Sequence, residues 1–254
     1  EHNEVGPNPF EIAIMFENAN ISVDNNQLLM YILEKTAIKH DLVCLLKEKP
    51  FKNMAGSGKH NNYSLATNYG KNLFSPGKDP KNNISFLLFL SAMIKSCNKY
   101  QNLIRIASSS ATNDYRLGGD EAPPAIISMF IGQDLEDTLK SIAEGDFKEN
   151  LVPNMVKIPH LGEMKTDTSD RNRTSPIAFT GLNTVINLAM AVVLEEIYAR
   201  IRNVSEENLK EEVNSLIKEI YLANKNILFQ GDGYSKDWKD EAKKRGLENY
   251  PTYL

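Results

Sequence analysis

The chain is poor in cysteine, in surplus positive charge and in long apolar runs, and each shortage removes a class of function. Its two cysteines, Cys44 and Cys97, each lie in an apolar stretch ("LVCLL" and "SAMIKSCNKY"). They read as buried free thiols in a reducing cytoplasm rather than as a disulfide or a metal pair. Lys and Arg number 29 against 33 Asp and Glu, a formal net charge of −4. No clustered basic excess is available for nucleic acid or an anionic membrane. The longest apolar run, "ISFLLFLSAMI" (84–94), is too short to span a bilayer and reads as a buried helix. "EHNEVGPNPF" at the start has neither a basic n-region nor an apolar h-region, so it reads as no signal peptide. There is no internal repeat and no low-complexity linker. What remains is ordinary globular material: 254 residues, 41% hydrophobic and 24% charged, enough for one large domain or two small ones with a real core.

Hydrophobic period and punctuation give a coarse map. "FEIAIMF" (10–16) predicts a strand, apolar on both faces apart from Glu11. Asp24 predicts the cap of a helix running to about His40, with Leu28, Leu29, Ile32 and Leu33 on one face. "LVCLL" (42–46) predicts a second buried strand. Residues 56–82 are polar and turn-rich, and a long apolar helix follows over about 82–107. "RLGGDEAPP" (116–124) carries two glycines and two prolines and cannot be regular structure. Residues 144–182 read as loop, and loops of that length are functional or disordered. Helices are predicted over 183–202 and 205–227, then a short one from a Ser235 cap to Gly246. The C-terminal third is therefore helical, and the chemistry lies before it.

Four stretches could carry that chemistry. "GSGKHNNYSL" (56–65) has glycines beside a lysine, but Asn53 and His60 stand where a phosphate loop needs Gly and Ser or Thr. Its glycines allow a close backbone approach to a ligand, and His60 could ligate a metal or donate to an oxyanion. Asn62 and Ser64 alternate with His60, so an extended segment turns all three one way. The plain alternative is a solvated polar turn. In "HNEVGPNPFEIA" (2–13), Glu4 and Glu11 flank a Gly-Pro-Asn-Pro turn, and two acids so joined suit a hard cation; the alternative is an edge strand with Glu11 in water. "RLGGDEAPPA" places Arg116 five residues before Glu121, and "SDRNRTSP" places Arg171 and Arg173 on one side of an extended loop. Arginine forks bind carboxylates and phosphates, although each stretch taken alone reads more readily as a surface charge. Carboxylates, a histidine, glycine backbone and arginines together make a kit for moving a phosphoryl group onto an acid.

The ordered set "HNEV…FEIA", "GSGKHNN.S", "RLG..EAPPAII" and "DRNRTSP.AFTG" resembles glutamine synthetase, specifically its long-chain type III enzymes, across nearly the whole chain. The resemblance implies ATP-dependent ligation of ammonia to glutamate through γ-glutamyl phosphate. It implies Mg²⁺ or Mn²⁺, with Glu4 and Glu11 as glutamate-side metal ligands and His60 as a ligand of the nucleotide-side metal. Gly56, His60 and Arg116 would line the glutamate site, and Asn62 and Ser64 would contact ATP. Glu121 would bind ammonium and accept its proton, and Arg173 would steady the transferring phosphate. The implied fold is α+β: a curved, mainly antiparallel sheet with flanking helices. Residues 1–181 would supply sheet and active-site loops and 182–254 the helical part. A cytoplasmic ring of identical subunits is the implied assembly, with no nucleic acid and no membrane partner.

Departures from the family pattern shape a further expectation. Ala55 stands in place of an asparagine, and Phe10 in place of a histidine. "AFTG" (178–181) runs directly into "LNTVINLAM" without the glutamate- and arginine-bearing segment that the family carries there. With that segment and the flanking N- and C-terminal regions missing, the chain is expected to be the middle of a catalytic domain, weak or inactive alone. Two alternatives stay open: a related carboxylate–amine ligase, and a degenerate, non-catalytic subunit.

Overall fold

The computed structural model describes residues 2–3, 8–12, 15–56, 58, 61–119, 122–145, 163–164 and 177–250; at 2, 3, 11, 111, 163, 164 and 177–180 it describes the backbone alone. In chain order the elements are β1 (His2–Asn3), β2 (Phe10–Glu11), α1 (Ala19–Lys39), α2 (Ile84–Lys99), α3 (Gln101–Ala107), α4 (Ala111–Arg116), β3 (Met129–Phe130), α5 (Gln133–Glu144), β4 (Glu163–Met164), α6 (Ile177–Ile201), α7 (Glu206–Asn224), a 3-10 turn at Lys225–Ile227, and α8 (Trp238–Lys244).

α2 is the centre. Phe86, Leu87, Leu90, Ala92, Ile94 and Cys97 are buried on several sides of it, and Lys95 and Lys99 reach solvent to pair with Glu196. α6 and α7 cover it. Its polar interruptions are satisfied internally: Ser91 and Ser96 donate to the carbonyls of Leu87 and Ala92, both at 2.8 Å. Asn83 caps it, its side chain accepting from Phe86 N at 3.1 Å. Leu182, Ile186, Met190, Val193 and Ile197 recur at three- and four-residue steps along α6 and form its buried stripe. Gly181–Ile201 is long and apolar enough to cross a membrane by length and composition, and in this fold that stripe packs into the core. α5 buries Leu135, Leu139 and Ile142 against α7 and ends at Gly145, φ 79°, the left-handed cap a glycine allows.

The segment 122–131 is threaded through the interior without regular structure apart from β3. Ala122, Ala125, Ile126, Ile127, Met129 and Ile131 are all buried. Phe229 N donates to Met129 O at 2.9 Å, which ties this segment to the chain after α7. There Phe229 stacks on Trp238 with centroids 3.8 Å apart, and the Arg245 guanidinium lies 5.3 Å from the Phe229 ring centroid.

Several expectations need correcting. The first helix begins at Ala19 behind Asn18, so Asp24 lies inside it and caps nothing. Its expected apolar face is not fully covered: Leu28 and Ile32 remain exposed, and Asn26 is its buried residue. Residues 42–46 form no strand, and Val43 is 82% exposed. Apolar character marks a segment that can pair, but a ladder also needs a partner, and none lies beside 42–46 among the described residues. Cys44 is accordingly half-buried, while Cys97 is buried; neither is in a disulfide. Of the strand expected over 10–16, the described residues form strand at Phe10–Glu11, paired antiparallel with β1, while 13 and 14 lie outside the described residues. The long helix over 82–107 breaks at Tyr100 (φ −116°, ψ 22°) into α2 and α3. α4 extends to Arg116, so the irregular stretch begins one residue later. The C-terminal helices hold, except that α6 starts at Ile177 and α8 starts at Trp238, after Asp237 rather than at Ser235. Strand among the described residues amounts to two antiparallel pairs of two-residue strands, with helices dominant.

Candidate active site

The glycine-rich segment is reached through a turn at Asn53, whose φ of 61° is the left-handed conformation asparagine tolerates. Gly56 and Gly58 are half-buried. From residue 61 the chain is extended and docks on α6. Asn61 Nδ2 donates to Asn183 Oδ1 at 2.9 Å, and Tyr63 OH donates to Asn187 Oδ1 at 2.6 Å. Asn183 and Asn187 are one helical turn apart, so they meet alternate residues of the extended segment. Tyr63 and Leu65 pack against the core. Asn62 and Ser64 therefore face out, both exposed.

A hairpin fixes the far end of this segment. Leu73 N donates to Leu65 O at 2.8 Å and Thr67 N to Lys71 O at 2.9 Å, with Gly70 at φ 77° in the turn. Asn72 Oδ1 accepts from both Ser64 Oγ (2.7 Å) and Phe74 N (2.8 Å), which sets the Ser64 hydroxyl direction. Behind the segment, burial, with Cys97 beside it, pushes the Tyr63 hydroxyl up to about 12. Burial alone pushes the Cys97 thiol up to about 12, so it is no nucleophile.

Arg116 ends α4 and is buried. Its Nη1 donates to Asn113 Oδ1 at 3.4 Å. α4 is held by a Ser110 cap (Asn113 N to Ser110 Oγ, 3.0 Å) and by a buried ion pair between Asp114 and Arg105 at 2.5 Å. After it the chain turns at Gly118 (φ 77°), whose N–H donates to the carbonyls of Ala122 and Pro123.

Of the residues singled out in the sequence, Gly56, Asn62, Ser64 and Arg116 are described. Glu4, His60, Glu121, Arg171 and Arg173, and the side chain of Glu11, lie outside the described residues. Asn62 and Ser64 are brought to one outward face, as the alternation predicts. Among the described residues no three His, Cys, Asp or Glu side chains could hold a metal together. The sequence reading missed Asn61, Tyr63, Asn72, Asn183 and Asn187, the residues that aim the segment. One signal was available: Asn183 and Asn187 are spaced i, i+4 in the mainly apolar first half of a helix.

Comparison with known proteins follows the same order of segments. The family model described as "Glutamine synthetase, catalytic domain" matches residues 1–125, and "Glutamine synthetase C-terminal domain" matches 212–254. A glutamine synthetase of Butyrivibrio fibrisolvens is 44% identical over 265 aligned positions, covering 98% of this chain and 38% of that protein. One from Bacteroides fragilis is 44% identical over 271, covering 98% of the chain and 37% of the relative. The type-3 glutamine synthetase of Dictyostelium discoideum is 40% identical over 276, covering 99% and 37%. The chain belongs to the glutamine synthetase family. It spans under two-fifths of the length of these relatives, and the three alignments are longer than its 254 residues, so each relative carries residues that face a gap here.

Proposed function

We propose that this chain is an internal part of a type III glutamine synthetase, running from its catalytic domain into its C-terminal domain, and that the full-length protein joins ammonia to L-glutamate at the expense of ATP in the cytoplasm. The observation that carries the reading is the docked segment 61–65. It holds Asn62 and Ser64 outward beside the glycine loop, in a chain whose segments match the family in order.

In this reading a γ-carboxylate oxygen of glutamate attacks the γ-phosphorus of ATP, and the bond to ADP breaks. Ammonia nitrogen then attacks the carbonyl carbon of the γ-glutamyl phosphate, and phosphate leaves. Gly56, His60 and Arg116 hold the glutamate, Asn62 and Ser64 hold the nucleotide, and Arg173 neutralises charge on the transferring group. Glu121 attracts ammonium and takes its proton, so the nucleophile is the free amine. Glu4 and Glu11 would hold one Mg²⁺ or Mn²⁺ on the glutamate side, and His60 would help hold a second on the nucleotide side. Bound there, the two cations would screen the crowded phosphate and carboxylate oxygens. In the full-length protein the catalytic domain carries a curved, mainly antiparallel sheet with flanking helices, and subunits assemble into a homo-oligomeric ring.

The test is phosphate release by the full-length protein with Mg²⁺-ATP and glutamate, with and without ammonia. Ammonia-stimulated, glutamate-dependent release is expected. Release that follows another amine or acid instead would mark a related ligase. The gaps against the relatives favour a second reading, a non-catalytic subunit; it predicts no release together with co-purification on an intact synthetase.

A further inference from the structure

Glu48 lies in "LLKEKPF", eight residues before Gly56, and it has no exposure to solvent. Thr112 Oγ1 donates to Glu48 Oε2 across 64 residues of sequence. Thr112 is the second residue of α4, and Arg116 is the last. A six-residue helix has no orientation of its own to speak of; its surroundings supply it. Here Asn113 Nδ2 donates to Ser108 O at 3.0 Å, Asp114 meets Arg105, and Arg105 Nε donates to Tyr250 O at 2.9 Å. Those bonds fix α4 to its own neighbourhood. The Glu48–Thr112 bond differs from them, because it ties α4 to the strand of chain that leads into the glycine loop. A carboxylate is costly to bury, and an apolar side chain would fill the same space more cheaply. What the apolar side chain could not do is fix the distance between the two segments.

We infer that Glu48 and Thr112 are a positioning pair for the acid substrate, holding the Gly56 backbone and the Arg116 guanidinium at the separation one glutamate requires. The inference rests on the reading of Gly56 and Arg116 as glutamate contacts. It is tested on the full-length protein by calorimetric Kd values for L-glutamate and for a non-hydrolysable ATP analogue. Thr112→Val, which keeps the shape and deletes the donor, is expected to weaken glutamate about tenfold and leave the nucleotide unchanged, since small misplacements of binding groups carry costs of that order. Thr112→Ser restores the donor and is expected to restore glutamate binding. Arg116→Gln separates the two failures. If it leaves glutamate binding intact, the reading of Arg116 is wrong. If it abolishes binding while Thr112→Val binds like the parent, the positioning pair is wrong. Equal weakening of both ligands by Thr112→Val would also overturn it, by marking a general structural role. Should Thr112→Val fail to fold, Glu48→Gln decides: glutamate about threefold weaker, with nucleotide unchanged, supports the pair, because the amide is a poorer acceptor than the carboxylate; unchanged affinity overturns it.

Discussion

Cys97 and Tyr63 show how one buried spot sets a pH dependence. Cys97 is pushed from an ordinary value of 9.0 to about 12, and Tyr63 from 10.0 to about 12. Below pH 9 both are protonated in the folded and the unfolded chain. Above pH 9 the unfolded thiol ionises first and then the unfolded phenol, while the folded groups keep their protons. The folded state then binds more protons, so stability falls as pH rises through that window. Urea midpoints measured from pH 8 to 11 should decline, and Cys97→Ala should flatten the decline by up to about 1.4 kcal/mol per pH unit. A slope unchanged by Cys97→Ala would show that the thiol does not contribute. At this scale the sequence was legible where neighbours are local. Period two along 60–64 predicted the shared outward face of Asn62 and Ser64, and it is found. Burial of Arg116 and the Glu48–Thr112 bond were not legible, because both depend on partners that only folding brings close.

Among the elements, α8 is held by the stack of Trp238 on Phe229, and Gly231 makes room for it. A Cβ at Gly231 would stand 2.6 Å from Phe229 Cζ, too close to survive without moving the ring. Gly231→Ala should therefore push Phe229 off Trp238 at a cost of about 1–3 kcal/mol. Trp238 is the only tryptophan in the chain, so its emission reads the change directly. A red-shifted, more quenchable emission is expected; an unshifted spectrum with unchanged stability would contradict the packing. Helix existence was well marked in the sequence, and helix ends were not. Asp24 offered a cap, but Asn18 precedes the observed start, since tertiary context decides among several competent residues. The break at Tyr100 carries no glycine or proline to announce it. Residues 42–46 have the composition of a strand and lack its partner, which no local pattern reports.

For the molecule as a whole, burial is uneven. The core is drawn from residues 86–247, whereas α1 and residues 42–54 contribute little to it and leave Leu42, Val43 and Met54 exposed. Segments with few buried apolar contacts open at low free energy. Brief trypsin treatment should cut at Lys39, Lys47 or Lys52 well before it cuts within α2 or α7, as mass spectrometry of the fragments would show. Cleavage inside α2 or α7 at the same rate would remove the distinction. The resemblance read from the sequence carried the family correctly, because its motifs are short and ordered. It could not carry the sheet, whose extent depends on pairing beyond any single motif.

The enclosure of α2 also bears on how the chain is made. A largely apolar helix is complete at Lys99, but α6 and α7, which cover it, begin only at Ile177 and Glu206. At roughly 5–20 residues per second of synthesis, α2 waits several seconds or more for its cover. During that interval the growing chain offers its stickiest surface to the cell, and its passage to the folded state depends on what shields that helix first.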